Sequence, residues 1–519
     1  MGGSRMHAVR SPRRCVGQWW LPGEPGKTVG GVLDIDPDTG LRLELTDQLL
    51  PGGLEPVLAP IIHGHADGRE ITLLDCMPAN GGKTVIAQVA TTTQVTRPRV
   101  ALIGVHLADA SDEVFAGQEV SMTGLTPWAA ASGMRTNYIA RPDSNDRVQM
   151  MLSWVEPVEA TLLEPTPYTL SLQWKAQSTG SIGVPAADLH SRIYRVEEQV
   201  VLRILSPTPQ PWSGFGHTAV AVRDLMTVAT QIPSRITGRT LLVAAEPPQD
   251  FYRVDLYFRS PSGLPDREDR FRDTDMVFTL RDFDFATVIQ RWFALRNTIG
   301  MPLDVLLALD YQPGGFYENR LFNAASAAEG FHAALCPDTT ALPTDVHTAL
   351  KKRVWNALAG LKKRPLEKVT DLIGRVPAHE KDKVVDLLTG VDDPAQREWV
   401  MSRVGDNRPG LMTRYLELAT KADSEAVDAL LTNVETWARW LRDARNAIGH
   451  VNTGKLAEKV PDDDALYYLV NITRAVLHLI VLAELGVSAD TQRWLVSDEW
   501  NYSAERFRAA VRNHAQQLQ

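Results

Sequence analysis

The stretch from Ser424 to Gly454 reads SEAVDALLTNVETWARWLRDARNAIGHVNTG. Apolar residues recur in it at three- and four-residue steps, which predicts a helical run from Ser424 to Arg442, with Val451-Asn452-Thr453-Gly454 as the loop beyond. Between the two lie Arg445, Asn446 and His450. A regular helix would turn Arg445 and His450 about 140° apart, onto different faces. Gly449, placed just past the helix end, would let the chain reverse, so that an arginine of the last turn and a histidine beyond it meet at one ligand. The carboxy-terminal end of the helix dipole favours cationic groups there. Of the twelve histidines only His450 has an arginine five positions before it, and a looser copy, Arg508 to His514, lacks the asparagine. The same residues would also serve as a capped helix end with a surface ion pair.

These residue types suit cleavage of an RNA phosphodiester without a metal. A base takes the proton of the ribose 2′-hydroxyl, an acid protonates the departing 5′-oxygen, and a cation stabilises the charge gathering on phosphorus. Histidine titrates near neutral pH and acid–base catalysis of this kind contributes roughly 10²–10⁴-fold. Arginine offers permanent planar donors to phosphate oxygens, and the Asn446 amide can orient either group or the ribose.

Working outward, everything after residue 316 has helical periodicity, while the first two hundred or so residues alternate short Val-, Ile-, Leu- and Thr-rich runs with Gly, Pro, Asn and Asp turns. Val29–Ile35 and Leu41–Leu45 flank Asp36-Pro37-Asp38-Thr39-Gly40 as a hairpin, and Ile71–Leu74, Thr84–Thr91 and Val100–His106 are further strand candidates. The prolines at 207, 209 and 211 mark a change of texture. Beyond them Thr218–Thr230 and Phe285–Arg296 read as helices and Tyr252–Phe258 as a strand. The expected organisation is α+β and multidomain: a β-rich domain over 1–205, a mixed α/β continuation over 206–312, an all-α bundle over 313–487 and a helical tail over 488–519.

A net charge of −9 excludes coating of nucleic acid through bulk charge and leaves room for a local basic site. The segment from Lys351 to Lys368 offers one: Lys351, Lys352, Arg353, Lys362, Lys363, Arg364 and Lys368 stand against a single acid, Glu367. It suits an RNA backbone, or equally a solvated helix face. Cys15, Cys76 and Cys336 are too few for a disulfide framework and too scattered for a local metal site, so a reducing cytosol is the simplest compartment. The most apolar stretch, Leu466 to Leu485, is interrupted by Asn471, Arg474 and His478, which argues for a buried bundle helix instead of a membrane span. The arginine-rich start (Arg5, Arg10, Arg13, Arg14) lacks the apolar segment of a secretory signal.

Three other motifs lose to plainer readings. Gly26-Lys27-Thr28 and Gly82-Lys83-Thr84 have Leu21 and Met77 where a phosphate-cradling loop needs glycine, so both read as turns. His63-Gly64-His65 could place two metal ligands on one strand face, but no carboxylate or thiolate cluster accompanies them. Trp19 and Trp20 suit core packing better than a stacking surface.

The helical half resembles the HEPN domains (higher eukaryotes and prokaryotes nucleotide-binding), in particular those of ApeA-type bacterial abortive-infection proteins. The resemblance rests on Tyr317-Glu318-Asn319-Arg320-Leu321-Phe322, Ala328-Glu329-Gly330-Phe331-His332, the Arg445–His450 motif and Ala483-Glu484-Leu485-Gly486. The amino-terminal half is similar to the domain preceding HEPN in such proteins at Gly17-Gln18-Trp19-Trp20-Leu21-Pro22, Ile61-Ile62-His63-Gly64, Ile71-Thr72-Leu73-Leu74 and Arg291-Trp292-Phe293.

The resemblance implies a metal-independent, cofactor-free endoribonuclease that acts as a homodimer or higher homo-oligomer, pairing two motifs into one site. It also implies abortive infection, in which the nuclease stays quiet until a phage component triggers it and then damages cellular RNA. In that reading Arg445 and His450 carry catalysis, Asn446 supports it, Glu329 either orients Arg445 or is a buried structural carboxylate, and the amino-terminal half senses or regulates. Transfer RNA is a substrate the class admits, and nothing in this sequence selects it. The alternative is a non-catalytic HEPN scaffold whose β-rich domain recognises a phage or host ligand.

Overall fold

In the computed structural model the described residues are 12–36, 39–50, 58–79, 82–86, 89–141, 144–163, 167–179, 186–187, 192–193, 195–247, 249–258, 276–361, 394–450 and 463–517. They form two compact units, each interrupted in sequence. One comprises 1–297, 307–314 and 484–491; the other comprises 298–306, 315–483 and 492–519.

The strands of the first unit are β1 (Arg13–Trp20), β2 (Val29–Asp36), β3 (Gly40–Leu45), β4 (Ala59–Ala66), β5 (Arg69–Pro78), β6 (Gly82–Ile86), β7 (Val89–Arg97), β8 (Val100–Ile103) and β9 (Phe115–Met122). They continue as β10 (Met134–Arg141), β11 (Ser144–Leu152), β12 (Val158–Leu162), β13 (Tyr168–Thr179), β14 (Ala186–Ala187), β15 (Arg192–Ile193), β16 (Arg195–Gln210), β17 (Ile236–Ala244) and β18 (Phe251–Phe258). The expected hairpin is β2–β3, with Asp36 opposite Gly40. The stretch 84–91 is two antiparallel strands, not one, because Thr84 of β6 pairs with Thr91 of β7. The second Gly-Lys-Thr tripeptide therefore opens β6 and is not a turn, since its three residues pair with Thr91–Thr93. The strand expected to reach His106 ends at Ile103; Gly104, at a φ of 123°, breaks it.

Strands β5-β4-β1-β2-β3-β7 pair in that order, and the end of β5 pairs with β7 (Met77 with Arg97), so the ring closes into a barrel. Its interior holds Cys15, Trp19, Leu33, Leu43, Ile62 and Leu73, all essentially inaccessible to water. Trp19 fits because β4 carries Gly64 opposite it: a Cβ there would stand 2.2 Å from the indole ring. From β5 the sheet runs on as β8-β18-β17-β9-β16-β13-β12, so the mixed segment supplies two strands to the amino-terminal sheet. Val120, Leu170, Leu172, Leu202, Leu241 and the helix Gly216–Thr230 supply buried apolar residues to this part of the unit.

The first histidine of His63-Gly64-His65 packs against an aromatic neighbour. His63 stacks on His106 with ring centroids 4.5 Å apart, Trp20 meets both edge-on, and each imidazole Nε2 sits on a backbone carbonyl, of Leu107 and Gly64 respectively. Burial lowers His63 below the ordinary imidazole range.

The second unit is helical. The expected run from Ser424 to Arg442 is two helices, Ser424–Leu431 and Val434–Gly449. The break is local chemistry: Thr432 adopts a φ of 60°, and the Asn433 side chain caps the next helix by accepting from the Thr436 N–H at 2.7 Å. The helix Asp463–Leu485 is long and apolar enough to cross a membrane, but most of its apolar stretch is buried inside the fold. One of its polar residues has a core role: the buried Thr473 hydroxyl accepts from Trp437 Nε1 at 3.1 Å.

Candidate active site

The helix Val434–Gly449 buries Trp437, Ala438, Trp440, Leu441, Ala444 and Ala447, a stripe at three- and four-residue spacing. Arg445 lies at the margin of that stripe, 29% exposed, and its Nε donates to Glu329 Oε1 at 2.8 Å. Glu329 comes from the helix Tyr317–Leu335, and its second oxygen stands 3.8 Å from Arg414 Nη1. One carboxylate thus holds two guanidinium groups. Tyr415 follows Arg414 with its hydroxyl buried and unpartnered; burial, reinforced by the Glu329 charge, raises it above the ordinary phenol range.

Because its Nε is committed to Glu329, the rest of the Arg445 fork is directed elsewhere. The guanidinium carbon lies 5.6 Å over the Phe322 ring, and Nη1 approaches Gly449, 3.7 Å from where a Cβ would stand. Phe322 and Gly449 line a cleft of about 430 Å³ with Asn319, Asn323 and Ile448. Asn319, Phe322, Asn323 and Glu329 share a face of their helix by the three-to-four-residue rule. That spacing could have disclosed the cleft residues from sequence, where only Glu329 stood out.

Gly449 does not reverse the chain. It is the last residue of the helix, its φ is not positive, and the His450 N–H closes on the Asn446 carbonyl at 3.1 Å. The angular offset of about 140° for a regular helix therefore persists. A Cβ at Gly449 would meet Phe322 at 3.5 Å and Arg445 Nη1 at 3.7 Å, ordinary van der Waals distances, so the position is close to both side chains without demanding a glycine. His450 stands exposed at the helix end and Asn446 is half-buried. The structure brings Arg445, Glu329 and the cleft together, and leaves Asn446 and His450 on the outer side of the same helix.

Lys351, Lys352 and Arg353 are exposed on the helix Thr344–Leu361. Lys362, Lys363 and Arg364 lie outside the described residues. Among the described residues no three His, Cys, Asp or Glu side chains gather as metal ligands.

The family model for the ApeA N-terminal domain 1 matches residues 14–292. The chain belongs to the ApeA family. A second model, the Apea-like HEPN domain, matches residues 322–491, so the ApeA match spans the strand-bearing part of the first unit and the HEPN match contains both Glu329 and the Arg445–His450 motif. The architecture expected from the ApeA resemblance, a β-rich amino-terminal part followed by a helical HEPN part, is the one observed. These matches support a HEPN nuclease-type role in anti-phage defence. No curated protein and no solved structure matches the chain.

Proposed function

We propose that this protein is a metal-independent endoribonuclease of anti-phage abortive infection, acting in the cytoplasm on cellular RNA, transfer RNA among the candidates. The observation that carries the reading is the Arg445 guanidinium, fixed through Nε by Glu329 so that the remainder of its fork lies at the cleft beside Gly449 and Phe322. In the reaction a ribose 2′-oxygen attacks the adjacent phosphorus, the 5′-oxygen leaves, and the products are a 2′,3′-cyclic phosphate and a 5′-hydroxyl. Arg445 holds the phosphate oxygens and His450 transfers the protons. Two His450 side chains, one from each protomer of a homodimer, serve as base and acid, which accounts for a histidine on the outer side of the motif helix. Asn446 orients the ribose or the imidazole. Lys351, Lys352 and Arg353, with Lys362, Lys363 and Arg364, bind the RNA backbone. The amino-terminal unit holds the nuclease quiet until a phage component arrives.

The test expresses wild type and His450→Ala in bacteria, challenges both with a phage panel and sequences RNA ends during infection. Protection with new breaks bearing cyclic-phosphate ends, both lost in the variant at equal soluble protein, is the expected result. Protection by His450→Ala with intact RNA would overturn the proposal.

A further inference from the structure

In the β-rich unit, far in sequence from the motif helix, one carboxylate is surrounded by three cations. Glu119 lies on β9, Lys175 on β13, Arg203 on β16 and Arg253 on β18. Cross-strand pairing sets Glu119 directly opposite Arg203 on the shared face of the sheet. Arg203 donates from Nε (3.1 Å) and Nη2 (2.8 Å) to Oε1, Arg253 brings both terminal nitrogens to the two carboxylate oxygens, and Lys175 Nζ bonds Oε2. The Glu119 side chain is only 3% exposed, whereas Lys175, Arg203 and Arg253 keep 23%, 21% and 40% of their surface in water.

The charges do not balance. Among the described residues the three cations pair with this one carboxylate alone, which leaves an excess of two positive charges in the cluster at a partly buried place. The neighbouring acid on the same face of β18, Asp255, already receives Arg69 at 2.7 Å and lies 3.8 Å from Arg13. A network that served the fold alone would be expected near neutrality, because unpaired buried charge is costly. The unused donors are specific: Arg203 Nη1, Arg253 Nε and the remaining ammonium protons of Lys175 make no bond to Glu119. Arg203 is further steadied by lying 5.9 Å over the Phe251 ring. Glu119 here holds the three cations apart and aligned, as a template.

We infer that this cluster is a binding site for a phosphate monoester, a dianion whose charge matches the excess and whose oxygens suit two arginine forks and an ammonium. The site stands independently of the nuclease reading. Burial lowers Lys175 from the ordinary ammonium range, and an incoming dianion reverses that pressure.

The experiment is calorimetric titration of the full-length protein with inorganic phosphate, with adenosine 5′-monophosphate and with adenosine, at low ionic strength in chloride buffer. Binding of both phosphates but not adenosine identifies free phosphate as sufficient, and binding of the nucleotide alone identifies a larger phosphate ester; either supports the site. Arg253→Gln, the most exposed of the three, is expected to weaken that binding tenfold or more with the fold kept by circular dichroism. Glu119→Gln, where it folds, is expected to tighten it, because the internal competitor loses its charge. Absence of phosphate binding by the wild type, or an unchanged affinity in Arg253→Gln, would overturn the inference and leave the cluster a structural network.

Discussion

The hydrogen bond between Arg445 Nε and Glu329 Oε1, 2.8 Å long with the partners 29% and 19% exposed, should behave as a coupled unit. A hydrogen bond to a charged partner contributes about 1.5–3 kcal/mol, and partial exposure screens the charges toward the lower part of that range. Glu329→Gln keeps an acceptor oxygen and removes the charge, and Arg445→Met keeps the stem and removes the fork. The expected coupling energy in the double-mutant cycle is therefore about 1–2 kcal/mol. Glu329→Gln alone should cost more than Arg445→Met alone, because it also leaves Arg414, 3.8 Å from the carboxylate, without its negative charge. Since two units need not unfold together, the assay is amide hydrogen exchange of the Val434–Gly449 helix in the full chain, read by mass spectrometry for wild type, both single variants and the double. Additivity to within about 0.3–0.5 kcal/mol would show that Glu329 neither holds Arg445 in solution nor aims its guanidinium at the cleft.

Three further outcomes are expected. Glu119 is pushed up by burial but held down at about 2 by Lys175 and Arg253, so its contribution is full above the ordinary glutamate range and fades as pH falls toward 2. The melting-temperature gap between wild type and Glu119→Gln should close over that window; its size near neutrality is at most on the order of 3 kcal/mol, less what the burial of Lys175 takes back, and a gap that is flat in pH would refute the assignment. Gly64→Ala drives a methyl to 2.2 Å from the Trp19 ring and should destabilise the barrel by about 1–3 kcal/mol or more, seen as an earlier thermal transition; an unchanged transition would mean the indole sits elsewhere. Asn433→Ala removes the cap of the motif helix at a cost of about 1 kcal/mol, and faster exchange at Thr436 and its neighbours is the signature to look for.

The β-to-α division and the motif were legible because each rests on a local signal: alternation over residues such as 29–35, and an arginine five positions before a histidine at a helix end. Four features were not, for three reasons. The helix break at Thr432–Asn433 interrupts a pattern whose apolar spacing continues almost in phase across it, so periodicity alone passes over it. The approach of Gly449 to Phe322, from a helix more than a hundred residues earlier, is a tertiary contact that no spacing rule reports. The barrel closure and the Glu119 cluster depend on non-neighbouring strands, β5 with β7 and β9 with β16, whose pairing leaves no periodic trace.

The Arg291 side chain donates through Nη1 to the carbonyl of Leu485 at 2.9 Å, and Gly486 follows with a φ of 86°. Both partners belong to the same compact unit although 194 positions separate them. On a translating ribosome, which adds roughly 5–20 residues per second, the arginine therefore waits roughly 10–40 s for its acceptor, and the motif helix is made within that interval. A fragment ending at residue 292, the end of the ApeA domain match, would never receive that acceptor. The last piece of the β-rich unit is delivered only after the whole Arg445–His450 motif exists, so this unit cannot be completed before the motif helix has been made.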